Sequence, residues 1–100
     1  MEVANNRRFK FNTPVVATAG VNDKMNNDFR FYQFVYDCIY LHFSGNFGQI
    51  SADSVETNNY GIEHKESVWS NYVDTNHDYR IWIITDPGHG MTTVLFPDEY

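Results

Sequence analysis

Residues 28–45 read DFRFYQFVYDCIYLHFSG, and this stretch decides the fold because it predicts one long helix. Asn27 can cap the helix, Asp28 suits the positive end of the helix dipole, and Ser44-Gly45 supplies the stop. We therefore predict a helix over residues 28–44. The apolar side of this helix, which we expect to pack on a sheet, consists of Phe31, Phe34, Val35, Cys38 and Leu41.

A second side of the predicted helix is aromatic. Five rings follow one another at spacings of three and four residues, namely Phe29, Tyr32, Tyr36, Tyr40 and Phe43. Because tyrosine is enriched in binding hot spots, Tyr32, Tyr36 and Tyr40 are candidate partner-binding residues. Alternatively, the N-terminal arm or residues 46–66 cover these rings, and their hydroxyls reach water. Stacking of single-stranded bases is a third possibility, which the acidity of the chain disfavours.

The flanking sequence predicts four strands. PVVATAGV, residues 14–21, begins at a proline, is rich in β-branched residues and ends near Gly20, as a first strand would. Three further segments, at 66–74, 79–85 and 92–96, are β-branched and aromatic and are separated by turn residues. They predict an antiparallel meander. Its central strand should be YRIWIIT, because bulky groups lie on both faces of that segment.

These elements together predict one small domain. Ser51 and Gly61 are typical of the start and the end of a short helix, which we place at residues 52–60. The prediction over residues 13–100 is an α+β fold with one long and one short helix packed on a four-stranded, mainly antiparallel sheet, in the order β-α-α-β-β-β. Residues 1–12 are polar and partly basic, and we expect a flexible arm there.

The formal net charge of −6 is unevenly distributed along the chain. Residues 1–12 carry about +2, which leaves about −8 on the predicted domain. An acidic body repels phosphate, so direct nucleic-acid binding is disfavoured, although Arg7, Arg8 and Lys10 leave a basic-arm alternative. No apolar run approaches the roughly 18 residues that a membrane span needs, and the N-terminus lacks the apolar stretch of a signal peptide. We therefore expect a cytoplasmic protein with no membrane partner.

Four carboxylates form an acidic stretch around the second helix: Asp53, Glu56, Glu63 and Glu66. Such a stretch is most often a solvated face. The alternative is a surface that imitates DNA phosphates or meets a basic groove of a partner. On that alternative, the four carboxylates are candidate partner-binding residues together with Tyr100 at the end of the sequence.

The sequence offers a partial metal motif. Asp74, Asn76 and Asp78 reproduce the first half of a calcium loop. Tyr79 replaces the required glycine, however, and Thr85 stands where the bidentate glutamate belongs. A hairpin turn with Asx-type hydrogen bonds is the favoured interpretation. We predict no metal and no cofactor, and a small metal-dependent hydrolase that uses Asp74, Asp78 and His77 is the weaker alternative.

Candidate catalytic groups are equally weak. His42 falls on the apolar side of the long helix, where a histidine usually bonds a backbone carbonyl. Cys38 is the single cysteine, so it has no disulfide partner in the chain. Its apolar surroundings should make the thiol inert. We predict no catalytic residue.

Several stretches resemble a family of short bacterial, phage and plasmid proteins. They are VVATAGVNDK at 15–24, GNFG at 45–48, IWIITD at 81–86 and TTVLFPDEY at 92–100. The corresponding family patterns read TAGVxDK, GDWGDL, IWIITE and TTVLFPSEY. The family has no assigned activity, and its association with mobile elements implies an accessory role, such as blocking host CRISPR or restriction defences. The chain departs from the family pattern at Asn46, Phe47 and Gln49, which replace acid, tryptophan and acid, and at Asp98, which replaces serine.

The resemblance also bears on the end of the chain. It implies that Phe96 lies in the core, that Pro97 ends the last strand, and that Glu99 and Tyr100 are presented beside it. Tyr100 would then either pack back to seal the sheet edge or contact a partner.

The residues and the resemblance together predict a binding protein. We expect a small acidic protein, encoded by a mobile element, that inhibits a host defence complex in the manner of an anti-CRISPR by direct protein binding and without catalysis. Its expected partner is a host protein or ribonucleoprotein complex with a basic surface. The alternative is a structural or regulatory homodimer that buries the tyrosines against its own copy.

Overall fold

The computed structural model describes residues 9–100, which form an α+β structure. Its elements in chain order are β1 Val15–Ala17, α1 Ala19–Asn27, α2 Phe29–Ser44, α3 Ala52–His64, β2 Val68–Asp74, β3 Tyr79–Thr85, β4 Thr92–Leu95 and a 3-10 turn Pro97–Glu99. The predicted α+β class and the four-stranded sheet are confirmed. The prediction of two helices is wrong, because residues 9–100 contain three α-helices.

The four strands form one mixed sheet in the order β1-β4-β3-β2. The central strand β3 pairs antiparallel with β2 and with β4, as the meander predicted. β1 pairs parallel with β4, with Val16 opposite Thr93. The helices α1, α2 and α3 separate β1 from the meander in sequence, which is the kind of crossover that parallel pairing requires.

The predicted first strand over residues 14–21 is wrong in its second half. β1 ends at Ala17, and Thr18 then caps α1, because its side chain accepts a hydrogen bond from the Val21 backbone nitrogen. Gly20, which suggested the end of a strand, lies in the first turn of α1. A Cβ atom at this position would come within 2.5 Å of a Glu99 carboxylate oxygen. The glycine therefore permits a close approach and does not end an element.

The start of the long helix is fastened to the sheet. Asp28, and not Asn27, is the N-cap of α2, since its Oδ1 atom accepts a hydrogen bond from the Phe31 nitrogen at 3.1 Å. Its Oδ2 atom accepts a hydrogen bond from the Tyr79 hydroxyl at 2.8 Å. That hydroxyl is the main reason why the pKa of Asp28 lies below its usual value. One carboxylate thus caps α2 and holds it to β3.

The second predicted helix is longer than residues 52–60. Ser51 is its N-cap, as predicted, and α3 continues to His64, where Lys65 adopts a left-handed conformation with φ of 57°. Gly61 lies inside the helix, at a position where a Cβ atom would be 2.3 Å from the Ser67 carbonyl oxygen. The glycine allows α3 to contact the chain just before β2.

Non-strand residues satisfy the outer edge of β2. The Asn58 side chain donates to the Trp69 carbonyl at 2.7 Å and accepts from the Trp69 nitrogen at 2.9 Å. Two residues further on, the Asn71 nitrogen donates to the Phe47 carbonyl, and the Gln49 nitrogen donates to the Asn71 carbonyl. The Trp69 and Asn71 positions of this strand edge are therefore unavailable for pairing with another chain.

The core lies between α2 and the sheet, and the predicted apolar side of the helix is confirmed. Phe31, Val35 and Cys38 are buried, with Phe34 and Leu41 packed at the margin. From the sheet they meet Tyr72, Tyr79, Ile81, Ile83 and Val94. The inner face of the sheet is thus covered, which leaves the outer face free for other roles.

The predicted flexible arm falls largely outside the described residues, which begin at Phe9. The Lys10 nitrogen donates to the Phe43 carbonyl at 2.8 Å. Phe9 and Phe11 lie with ring centroids 5.9 Å and 5.1 Å from that of Phe43. The end of the predicted arm is therefore attached to the C-terminal part of α2.

Within residues 9–100, no helix has the length and apolar character needed to cross a membrane.

Candidate functional site

The aromatic side of α2 forms a continuous surface. Phe29, Tyr32 and Tyr36 have exposed fractions of 71%, 41% and 54%. Their rings contact one another in sequence, with centroids 6.0 Å apart for Phe29 and Tyr32 and 4.9 Å apart for Tyr32 and Tyr36. Tyr40, 39% exposed, continues the row. We call these four residues the aromatic ridge.

Among the described residues, the N-terminal segment covers the aromatic rings only at the C-terminal end of the row. Phe43, the fifth ring of the sequence pattern, is buried. Phe9 packs on both Phe43 and Tyr40, with a centroid distance of 5.5 Å to the Tyr40 ring. Tyr32 and Tyr36 remain substantially exposed. The N-terminal part of the ridge is therefore accessible in the described chain.

The acidic stretch occupies the free side of α3. Asp53, Glu56, Glu63 and Glu66 are all exposed. The helical period places the first three opposite Asn58 and Gly61, which are buried against the sheet edge. None of the four carboxylates forms an ion pair with a lysine or arginine of residues 9–100. Asp53, Glu56 and Glu63 therefore share the free side of α3, with Glu66 two residues beyond its end, and we call these four residues the acidic face.

The aromatic ridge and the acidic face lie on different helices. No hydrogen bond or ring contact among the described residues joins the two surfaces. Tyr60 is the aromatic residue nearest the acidic residues, and it stacks on His64 with centroids 4.0 Å apart. The candidate residues therefore divide into two separate surfaces.

Tyr100, the remaining candidate, lies on a third surface, which the sequence interpretation missed. Its ring is 84% exposed and packs against Trp82 at a centroid distance of 5.6 Å. Trp69 on β2 lies diagonally across from Trp82 on β3, with ring centroids 5.6 Å apart. These rings line a groove of about 490 Å³ on the outer face of the sheet, together with Ser67, Ile84, Asp86 and Pro87. We call it the tryptophan groove.

The signal for this groove is the period of two in β2 and β3. Trp82 and Ile84 alternate with the buried Ile81 and Ile83, so they face the side away from α2. Bulky residues on both faces indicated a central strand, which is confirmed. The same residues could also have indicated a second apolar surface, but its composition depends on Trp69 and Tyr100, whose positions follow from the strand register and from the last turn.

Glu99 is exposed and also forms hydrogen bonds within the protein. One of its oxygens accepts hydrogen bonds from the Thr18 hydroxyl and from the Phe96 nitrogen, both at 2.8 Å. Phe96 packs on the core residue Phe31 with a centroid distance of 5.8 Å. The final residues therefore fasten the end of the chain to the start of α1, next to Gly20.

His42 is the centre of a buried polar network. The residue is fully buried, and its Nδ1 and Nε2 atoms lie 2.6 Å from the Ser70 hydroxyl and 2.9 Å from the Thr85 hydroxyl. Thr85 is in turn bonded to Thr92 at 2.7 Å, and Thr92 to Thr13. The predicted backbone carbonyl partner is wrong, because side-chain hydroxyls from β2 and β3 satisfy the ring. The network joins α2 to three strands.

The stability of the fold should depend on pH through this histidine. Burial, assisted by His89, lowers the pKa of His42 from 6.5 to about 3. Below pH 6.5 the unfolded chain therefore binds a proton that the native protein excludes. The free energy of unfolding should fall by about 2–3 kcal/mol between pH 7 and pH 4.5.

Urea denaturation across this pH range measures the effect. H42Q removes the titrating ring and should abolish most of the change in the free energy of unfolding with pH. H64Q removes an exposed histidine and should retain that change. A change with pH that is the same in H42Q and in the parent protein would contradict the assignment.

The other candidate reactive groups are the turn after β2, which contains Asp74 and His77, and the Cys38 thiol. The predicted Asx-type turn is present, since Asp74 Oδ1 accepts from the Asn76 nitrogen, while Asp74 Oδ2 lies 3.0 Å from His77. No group of three or more His, Cys, Asp or Glu residues within residues 9–100 could hold a metal ion. Burial raises the pKa of the Cys38 thiol to about 12, so the thiol is protonated at neutral pH.

Comparison of the chain with protein-family models, with curated proteins and with solved structures finds no match. The functional interpretation therefore depends on the surfaces themselves. These are the aromatic ridge on α2, the acidic face on α3 and the tryptophan groove on the sheet.

Proposed function

We propose that this protein is a small acidic inhibitor, encoded by a mobile element, that binds directly to a protein or ribonucleoprotein complex of a host defence system. In this anti-CRISPR-like role it acts by occupying a surface and without catalysis. The observation that carries the proposal is the exposure of the aromatic ridge, at Tyr32 and Tyr36 above all. The choice of a host defence system as the target rests on the family resemblance.

The ridge has the properties of a preformed anchor. Tyrosine combines a large apolar ring with a hydroxyl, and it dominates many protein interfaces. Tyr32 and Tyr36 already contact each other and project from a helix that is capped and packed on the sheet. A partner would therefore lose little free energy in ordering them.

The charge of the chain indicates the character of the partner. Residues 9–100 contain 12 acidic and five basic side chains, and the carboxylates of α3 have no lysine or arginine partner among them. Such a field attracts basic surfaces and accelerates their association. It opposes direct binding to nucleic acid, so a basic protein surface is the favoured target.

Affinity capture tests this proposal. The tagged protein is incubated with a bacterial lysate that contains CRISPR effectors, and captured proteins are identified by mass spectrometry. Y36A should weaken capture of the defence component by about tenfold or more, as loss of an interface anchor does. Inhibition of DNA cleavage by the purified component should weaken in parallel.

Y60A is the matched control, because Tyr60 is an equally exposed tyrosine, 56% against 54% for Tyr36, on α3 instead of α2. It should retain capture within about twofold. E63K tests the contribution of charge separately, and loss of capture with this variant would assign binding to the acidic face. Unchanged capture by all three variants, or the absence of any defence component, would contradict the proposal.

A homodimer is the second candidate, since an exposed row of rings along one helix can pack against its own copy about a two-fold axis. Light scattering distinguishes the homodimer from a monomeric inhibitor. A monomer mass of 11.7 kDa at high concentration excludes the homodimer, whereas a dimer that Y36A dissociates supports it.

A further inference from the structure

The tryptophan groove has aromatic walls that stand at large angles to one another. The Trp69 and Trp82 rings lie at 86°, and the Trp82 and Tyr100 rings at 65°. Ring faces carry the negative part of the aromatic quadrupole, so rings arranged around a concavity attract cations. The volume of about 490 Å³ falls within the range of ligand pockets and admits a long side chain.

Asp86 supplies the charge at this groove. The residue is exposed, and its carboxylate forms no hydrogen bond or ion pair with the described side chains. No lysine, arginine or histidine is among the lining residues of residues 9–100. The groove therefore combines aromatic surface with one uncompensated negative charge, which is the complement of an organic cation.

Arginine fits this combination better than lysine does. A guanidinium is planar and weakly hydrated, so it can stack on a tryptophan ring while it donates two parallel hydrogen bonds to a carboxylate. An ammonium is strongly hydrated and offers no flat surface for stacking.

We propose that the tryptophan groove binds the guanidinium group of an arginine side chain presented by a basic protein partner, with Asp86 as the counter-ion. The partner is the one invoked in the proposed function, and in that respect the inference rests on it. The groove, however, shares no residue with the aromatic ridge. Tyr100 thereby has a binding role, whereas the adjacent Glu99 has a structural one.

Nuclear magnetic resonance measures this interaction directly. The chain has two tryptophans, and both line the groove, so the two indole N–H resonances report on it without interference. The Trp69 indole nitrogen is buried and lacks an acceptor among the described residues. N-acetyl-arginine amide should shift both signals saturably, with a dissociation constant in the millimolar range.

Neutral and cationic analogues identify the chemistry. N-acetyl-citrulline amide has nearly the same shape without the charge and should bind at least about tenfold more weakly, since it loses both the cation–π and the charge-assisted contacts. N-acetyl-lysine amide should also bind more weakly than the arginine compound. Equal shifts by arginine and citrulline, or by arginine and lysine, would overturn the guanidinium assignment.

Two exposed positions test the residues without threatening the fold. D86N and Y100A should each weaken arginine binding by about threefold to tenfold. D23N removes one exposed carboxylate of α1, to which no binding role is assigned, and should leave the affinity unchanged, which controls for net charge. A loss with D23N as large as that with D86N would show general charge attraction and refute the site.

The capture experiment distinguishes the two proposals. Saturable arginine binding combined with failed capture would leave the groove standing and remove the proposed function. Absence of indole shifts combined with capture that depends on Tyr36 would remove the groove and leave the proposed function.

Discussion

Replacing His42 with alanine should lower the free energy of unfolding by about 3–5 kcal/mol. The ring is fully buried, so its removal leaves a cavity between α2 and the sheet. The hydroxyls of Ser70 and Thr85 lose their partner at the same time. An unsatisfied buried polar group costs about 1–3 kcal/mol, although Thr85 retains its bond to Thr92.

Urea denaturation at pH 7 measures this loss. H64A is the matched control, because His64 is exposed, and its effect should stay within about 0.5 kcal/mol. H42F separates the two causes. It fills the space with an apolar ring and should recover the cavity part of the loss, but not the two hydrogen bonds that the His42 ring makes. A decrease below about 1 kcal/mol for H42A would show that the network contributes little to stability.

Gly48→Ala should lower the free energy of unfolding by about 2–5 kcal/mol, from two causes that add. The backbone at Gly48 has φ of +74°, and a non-glycine residue in the left-handed region costs about 1–2 kcal/mol. A Cβ atom there would also lie 2.2 Å from the Asn71 carbonyl oxygen and 2.8 Å from the Tyr72 ring. Overpacking of this kind costs about 1–3 kcal/mol, because the backbone of β2 must move.

Two other glycines isolate these causes. Gly88 has φ of +88° with open space around its Cβ position, so Gly88→Ala measures the backbone conformation alone. Gly90 has open space without a positive φ, so Gly90→Ala should change stability by less than about 0.5 kcal/mol. Thermal or urea unfolding of the three variants gives the comparison. If Gly48→Ala costs no more than Gly88→Ala, then the close contact with β2 has no energetic consequence.

Elements with a strong local pattern could be predicted. α2 is apolar on one side over four turns, and its core positions follow from the helical period. Ser51 was correctly assigned as a cap because its side chain satisfies a nitrogen three residues away. β3 was correctly placed in the centre because both of its faces are apolar. In each of these cases the decisive contacts are local or follow directly from hydrophobicity.

The two glycine errors have one common origin. Gly20 and Gly61 were assigned as the ends of elements because glycine is frequent there. Both lie inside helices, where a Cβ atom would meet a Glu99 carboxylate oxygen at Gly20 and the Ser67 backbone carbonyl at Gly61. The sequence does not distinguish a glycine that ends an element from a glycine that permits close packing of a neighbouring segment. Only the position of the neighbouring segment distinguishes them.

Of the candidate surfaces, the aromatic ridge could be predicted from the sequence and the tryptophan groove could not. The spacing of three and four residues was sufficient to place Tyr32 and Tyr36 together on one side of α2, and the structure adds that they are exposed. The tryptophan groove could not be assembled from spacing. It needs the register of β2 and β3, which places Trp69 and Trp82 diagonally on one face, and the return of Tyr100 to that face.

The sequence alone determined the α+β class, the long helix with its buried and aromatic sides, and the acidity of the domain, since these follow from composition and periodicity. The tertiary structure decided which side of the molecule each surface occupies, the parallel pairing of β1, the partners of His42 and the fastening of Glu99 to Thr18. These features join residues far apart in the chain. Their free energy comes from contacts that exist only after folding, so no local pattern specifies them.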